Sequence, residues 1–140
     1  GLYIEVSCEH VLVAGGIYAA QTPHLQRLRE HLAENYVQLR ALVESPSFRR
    51  LFGGIEGESL RRVPRGFQPD HPAADYLRLK QFLMSREYPA AFCTSPRFYP
   101  TVVRLFEQLA PVIRFLNEPL LTAAPPIVPL IFSSPRTAGI

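Results

Sequence analysis

The chain has 140 residues, 47% of them hydrophobic and 19% charged, with a formal net charge of +3. That length and balance specify one globular domain, and no apolar run approaches the ~20 residues that a membrane-spanning helix needs. The two cysteines, Cys8 and Cys93, lack metal-type spacing, which argues against a zinc centre or a disulfide framework and predicts free thiols in a reducing cytoplasm. The opening residues show no basic-then-apolar leader pattern, so the expected location is cytoplasmic; they read as strand from within a domain.

In chain order, residues 2–7, LYIEVS, place Leu2, Ile4 and Val6 on one face and predict a half-buried strand. Residues 11–18, VLVAGGIY, predict a second strand, and the short link between the two an antiparallel hairpin. The Gly15-Gly16 pair points to a bulge or a close backbone approach; no G-x-x-x-x-G-K-[ST] pattern follows it. Leu25, Leu28 and Leu32, with Pro23 in the first turn, predict an amphipathic helix. Asn35 followed by Gln38 predicts the cap of a second helix, with Tyr36, Leu39, Leu42 and Val43 on its apolar face. Ser45-Pro46 opens a third, short helix bearing Phe48, Leu51 and Phe52, and Gly53-Gly54 stops it.

Residues 59–63, SLRRV, predict a strand ending at Pro64, and PRGF a turn. DHPAADYLRL predicts a short helix from Asp70 or His71, and residues 80–86 a strand with Phe82 and Met84 on one side. Ser95-Pro96 opens the last helical region, which Pro100 and Pro111 are expected to break or bend, giving two segments with a joint near Ala110. Residues 119–140 change character: rich in proline, nearly uncharged, apolar at Ile127, Val128, Leu130, Ile131 and Phe132, they form a tail expected to pack on its own domain or on a neighbouring chain. The predicted fold class is α+β, a small antiparallel sheet of about four strands covered by helices drawn from 23–52 and 95–117. Residues 1–118 read as the C-terminal part of one domain and 119–140 as its tail.

The segment RRVPRGFQPDHPAADYLRLK, residues 61–80, holds the chain's only lysine, Lys80, and both of its aspartates, Asp70 and Asp75, together with His71, Arg61, Arg62 and Arg65. Residues 61–97 carry a net charge of +4 and the remainder −1, which favours anionic ligands in that segment. Arg65, between Pro64 and Gly66, presents a planar fork of donors suited to phosphate or carboxylate. Asp70 and His71 stand at a helix start, and Lys80 leads the following strand. Arg62, Arg65 and Asp70 are therefore the candidate ligand-binding residues, and His71 and Lys80 the candidate catalytic ones, of a pocket for a small phosphorylated or carboxylated molecule. The competing reading is a non-enzymatic protein-interaction module whose charges are structural: Asp70 caps, His71 bonds at the helix start, Arg65 pairs with Asp70 or Asp75, and Lys80 lies on a solvated edge. No Ser-His-Asp order, metal-ligand spacing or dinucleotide fingerprint is present, and His10, His24 and His31 are scattered, so neither a reaction class nor a cofactor is assigned. Nucleic acid is disfavoured because Phe67 is the lone aromatic ready to stack in the basic stretch.

The blocks GGIY, LRALVESPSFRRLFGGIEGESLRRVPRGFQPDHPAADYLRLKQFLMSRE, SPRF and LFEQLAPVIRFLN resemble the C-terminal part of the bacterial family catalogued as domain of unknown function 2461, from Leu2 to Asn117. The most specific part is Arg62 to Phe82, where RVPRGF, DHPAADYL and LKQF stand at the family's spacing. The resemblance carries no established activity. It implies a longer protein whose upstream R-x-x-R-D-x-R-F signature, absent here, would complete the pocket of Arg65, Asp70, His71 and Lys80. Surfaces that such a region covers would be exposed in this chain and favour a homodimer, through apolar surface or an exchanged tail.

Overall fold

The computed structural model describes residues 1–17 and 22–121. Strands β1 (Leu2–Val6), β2 (His10–Ile17) and β3 (Phe82–Pro89) form one antiparallel sheet in the order β1-β2-β3. Ser7 closes the β1–β2 hairpin: its N–H donates to the His10 carbonyl at 2.9 Å, and its hydroxyl accepts from the N–H groups of Glu9 and His10. Ile4 lies opposite Val13 and Val6 opposite Val11, so the apolar side of β1 shares a face with two fully buried valines. Across β2–β3, Met84 lies opposite Gly15 and Phe82 opposite Ile17, and both are fully buried on that face, as their spacing predicts. The paired glycines mark a close approach; the register runs unbroken through them. A Cβ at Gly16, where φ is +137°, would stand 1.8 Å from the Phe82 carbonyl oxygen.

Between β2 and β3 the chain forms α1 (Thr22–Glu34), α2 (Tyr36–Val43), α3 (Pro46–Phe52) and the short α4 (Ala74–Leu77); after β3 a 3₁₀ turn (Ala90–Thr94) leads into α5 (Phe98–Leu121). The predicted boundaries of α3 hold, with the Ser45 hydroxyl accepting from the Phe48 N–H at 3.3 Å and Gly53 in the left-handed conformation at its end. Helix α5 lies over the sheet and packs on β2, α1 and α2, burying Leu105, Leu109, Val112, Ile113, Phe115 and Leu116. Leu28, Leu32, Leu39 and Phe48 complete the core from the other helices. Each such side chain contributes roughly 1.5–3 kcal/mol of transfer free energy. No helix among the described residues is long and apolar enough to cross a membrane.

Several expectations are corrected. The sheet has three strands among the described residues, not four: residues 59–63 form no strand, because Arg61 and Arg62 are both exposed and no alternating apolar face exists. Instead the chain from Glu56 to Leu60 runs beside Arg78 to Leu83 through isolated bridges, with the Lys80 N–H donating to the Glu58 carbonyl at 2.8 Å and the Leu60 N–H to the Arg78 carbonyl at 2.7 Å. The strand expected at 80–86 runs from Phe82 to Pro89. Asn35 makes no side-chain cap for α2; its Nδ2 donates backward to the His31 carbonyl at 3.0 Å, at the end of α1. Helix α4 does not begin at Asp70 or His71 but spans only Ala74 to Leu77.

Pro111 does not break the last helix. α5 is continuous from Phe98 to Leu121 with Pro111 inside it, because buried residues on both sides of the proline outweigh the roughly 3 kcal/mol that proline costs in a helix interior. Leu2, Ile4 and Val6 point to the core face yet remain 39–54% exposed, since the helical layer does not fully cover β1. Pro119, Leu120 and Leu121 are helical; the rest of the predicted tail, residues 122–140, lies outside the described residues.

Candidate anion-binding site

The backbone pairing of residues 58–60 with 78–80 brings two distant parts of the basic segment together. Leu77 and Leu79 are buried on either side of Arg78 and fix its backbone, while Arg61 and Arg62 follow Leu60 on the facing segment. Between them lies a cavity of about 470 Å³ lined by Arg61, Arg62, Val63, Pro69, Ala74, Asp75 and Arg78. Arg78 Nη2 donates to Asp75 Oδ1 at 2.6 Å, one turn apart on α4 and its end. Arg78 Nε is buried without a hydrogen-bond partner. Arg61 and Arg62 are exposed and make no hydrogen bond or ion pair among the described residues.

Three guanidinium groups against one carboxylate give this concavity a positive field, and the orphaned Nε is a donor that a buried environment leaves unsatisfied. The lining offers three guanidinium groups for charge-assisted binding, with Asp75 as its one carboxylate.

Of the sequence-predicted residues, Arg62 lines this cavity, and Arg65, Asp70, His71 and Lys80 do not. Arg65 is exposed at the tip of the predicted turn, where Gly66 has φ +95° and the Phe67 N–H donates to the Pro64 carbonyl at 3.3 Å. Asp70 is exposed in the same loop; neither it nor Arg65 has a hydrogen bond or ion pair among the described residues. His71 Nδ1 accepts from the Ala73 N–H at 2.9 Å, which puts the proton of the neutral ring on Nε2, and the ring meets Tyr36 edge-on with centroids 5.7 Å apart. Lys80 Nζ lies 3.8 Å from Glu58 Oε2. Arg78 and Asp75 escaped the sequence reading as a pair, although their i, i+3 spacing beside two buried leucines was a usable signal.

Two further polar groupings were also missed. At the β1–β2 hairpin, the Tyr3 hydroxyl donates to Glu5 Oε2, and His10 Nε2 stands 2.8 Å from Glu5 Oε1, with Glu87 on its other side at 3.8 Å. The Tyr3 hydroxyl, and then His10, hold the Glu5 carboxyl below its ordinary value. On α1, Arg29 is 8% exposed; its Nη2 donates to the Leu79 carbonyl at 3.1 Å, its Nε has no partner, and burial lowers its pKa. No group of three or more His, Cys, Asp or Glu side chains among the described residues is arranged to hold a metal ion, and both cysteines are free.

Residues 1–115 match the sequence family described as conserved hypothetical protein, DUF2461. No curated protein and no solved structure matches the chain.

Proposed function

The chain belongs to the DUF2461 family of conserved hypothetical proteins, and we propose that it binds a small phosphate- or carboxylate-bearing molecule in the cavity lined by Arg61, Arg62 and Arg78. The observation that carries this reading is the gathering of three guanidinium groups around one cavity with a single carboxylate, two of them, Arg61 and Arg62, unpaired among the described residues. A tetrahedral or planar anion supplies the acceptors that these groups lack, and bidentate guanidinium contacts are the strongest available for it. Arg65 and Asp70 stand in the loop between Val63 and Ala74 that walls the cavity, and contribute at its approach.

His71 and Lys80 have local partners, Ala73 and Glu58. That supports, for these two, the second reading, in which the motif's charges fix its turns and the chain acts as an interaction module. The two readings separate in one experiment. Calorimetric titration with inorganic phosphate and with a short dicarboxylate gives saturable heat if the cavity binds anions, and Arg62→Ala and Arg78→Ala each weaken it about tenfold or more. Absence of saturable heat, or heat unchanged in both variants, overturns the anion reading and leaves the interaction module.

A further inference from the structure

The outer edge of β1 carries an inference independent of the anion cavity, which lies elsewhere, on the 61–78 segment. The Gly1 amino group and carbonyl bond to the Gly16 carbonyl and N–H at 2.8 and 3.1 Å, and the Ser7 N–H bonds to the His10 carbonyl. In an antiparallel ladder hydrogen-bonded pairs alternate, so the backbone groups of residues 1, 3, 5 and 7 face β2. Those of Leu2, Ile4 and Val6 face outward, and that edge has no strand partner among the described residues. The same three residues carry the apolar side chains that remain 39–54% exposed. A strand that presents unpaired backbone and apolar side chains together is a template for pairing, and β1, LYIEV, has no lysine, proline or bulge to prevent it.

We infer that β1 pairs with the β1 of a second copy of this chain, antiparallel about a two-fold axis through Ile4. The strand is self-complementary in that register. Ile4 faces its own copy, Leu2 faces Val6 of the second copy, and these three pairs exchange about six backbone hydrogen bonds through the groups that point outward. The apolar face then runs uninterrupted from one sheet into the next. On the opposite face Tyr3 meets Glu5 of the second copy. Charge is complementary as well: Glu5 is the strand's only acidic or basic residue, it meets a hydroxyl and not a like charge, and His10 Nε2 of its own chain already stands 2.8 Å from its carboxylate. A two-fold interface of this kind closes on itself and stops at a dimer.

The register makes the inference testable at single residues. In a Cys8→Ser, Cys93→Ser background, Ile4→Cys places two sulfurs opposite one another at the axis, where paired Cα atoms stand about 5.5 Å apart, a separation that suits a disulfide. Mild oxidation is expected to convert this variant to a covalent dimer, Leu2→Cys alone to leave it monomeric, and Leu2→Cys with Val6→Cys to restore the crosslink. Without crosslinking, light scattering of the parent chain is expected to report twice 15.8 kDa. Ile4→Lys, which opposes like charges at the axis, raises the dimer dissociation constant at least about tenfold. Val6→Lys, at the most exposed of the three positions, is the second variant should Ile4→Lys fail to fold. A parent chain that is monomeric throughout a concentration series, or Leu2→Cys that crosslinks as readily as Ile4→Cys, overturns the inference.

Discussion

The Tyr76 hydroxyl donates a 2.9 Å hydrogen bond to Glu44 Oε1, joining side chains 32 residues apart in sequence. The same carboxylate accepts from Arg40 Nε at 3.0 Å and lies 3.9 Å from Arg49 Nη2, so one acidic group at the end of α2 gathers side chains from α2, α3 and α4. Arg40, and after it Tyr76, holds the Glu44 carboxyl below the usual carboxylate range; burial, and after it Glu44, pushes the Tyr76 phenol up to about 12.

Both ends of the pH range are therefore expected to feel this contact. Because the Tyr76 pKa is raised on folding, its contribution is intact below the ordinary phenol value of 10.0 and is lost as pH climbs from there through about 12. The Glu44 pKa is depressed on folding, so its contribution is intact above the ordinary value of 4.5 and is lost as pH falls through the lowered one. Tyr76→Phe should cost about 1 kcal/mol at neutral pH and flatten the alkaline decline. Thermal melts of parent and variant across the two windows check it; parallel curves at high pH would show that Tyr76 does not titrate as described.

Asp75 already holds Arg78 Nη2 at 2.6 Å in the cavity proposed to bind anions, so under that proposal it competes with the ligand for Arg78. Asp75→Asn removes that charge while keeping the shape. Since exposed pairs of this kind are worth about 0.2–1 kcal/mol, phosphate affinity measured by titration should rise by up to about fivefold. A fall in affinity would mean that the carboxylate orients the arginine instead of occupying it.

Gly16→Ala is expected to be the most damaging small substitution in the sheet. The added carbon meets the Phe82 carbonyl oxygen on the neighbouring strand at a backbone angle that side chains rarely adopt. A loss of about 3 kcal/mol or more in urea unfolding is expected; a loss under about 1 kcal/mol would mean that the β2–β3 pairing yields easily at this point.

Ser45→Ala removes the hydroxyl that accepts the Phe48 N–H at the start of α3. Denaturant unfolding should show a loss of about 1 kcal/mol, with no change in anion titration because α3 does not line the cavity.

Signals that act over one turn or one strand pair were legible in the sequence. The leucines of α1, the Ser45 and Gly53 ends of α3, the buried Phe82 and Met84, the hairpin and the family membership all stand as read. What escaped depends on long-range competition. Asn35 is the local exception: its side chain turns back to His31, whose carbonyl accepts from both the Asn35 N–H and Nδ2. Pro111 is tolerated because Leu109, Val112 and Ile113 are buried around it, which no local preference encodes. The basic segment was visible as a charge cluster and Arg62 as a member of it. Its juxtaposition with Arg78, however, exists only through the pairing of residues 58–60 with 78–80, a pairing that lacks the alternating pattern by which strands are found.

The position of α5 bears on how the molecule is made. It is the last described element in the chain, and it supplies the cover over Val13, Gly15 and the helices α1 and α2. During synthesis, at about 5–20 residues per second, the hairpin and the first helices emerge before any part of that cover exists. Their apolar faces must wait until residues near Leu116 have left the ribosome. The early chain is therefore the stage most exposed to unwanted association, and a ribosome stalled ahead of α5 would display an open, unroofed sheet to chaperones and proteases.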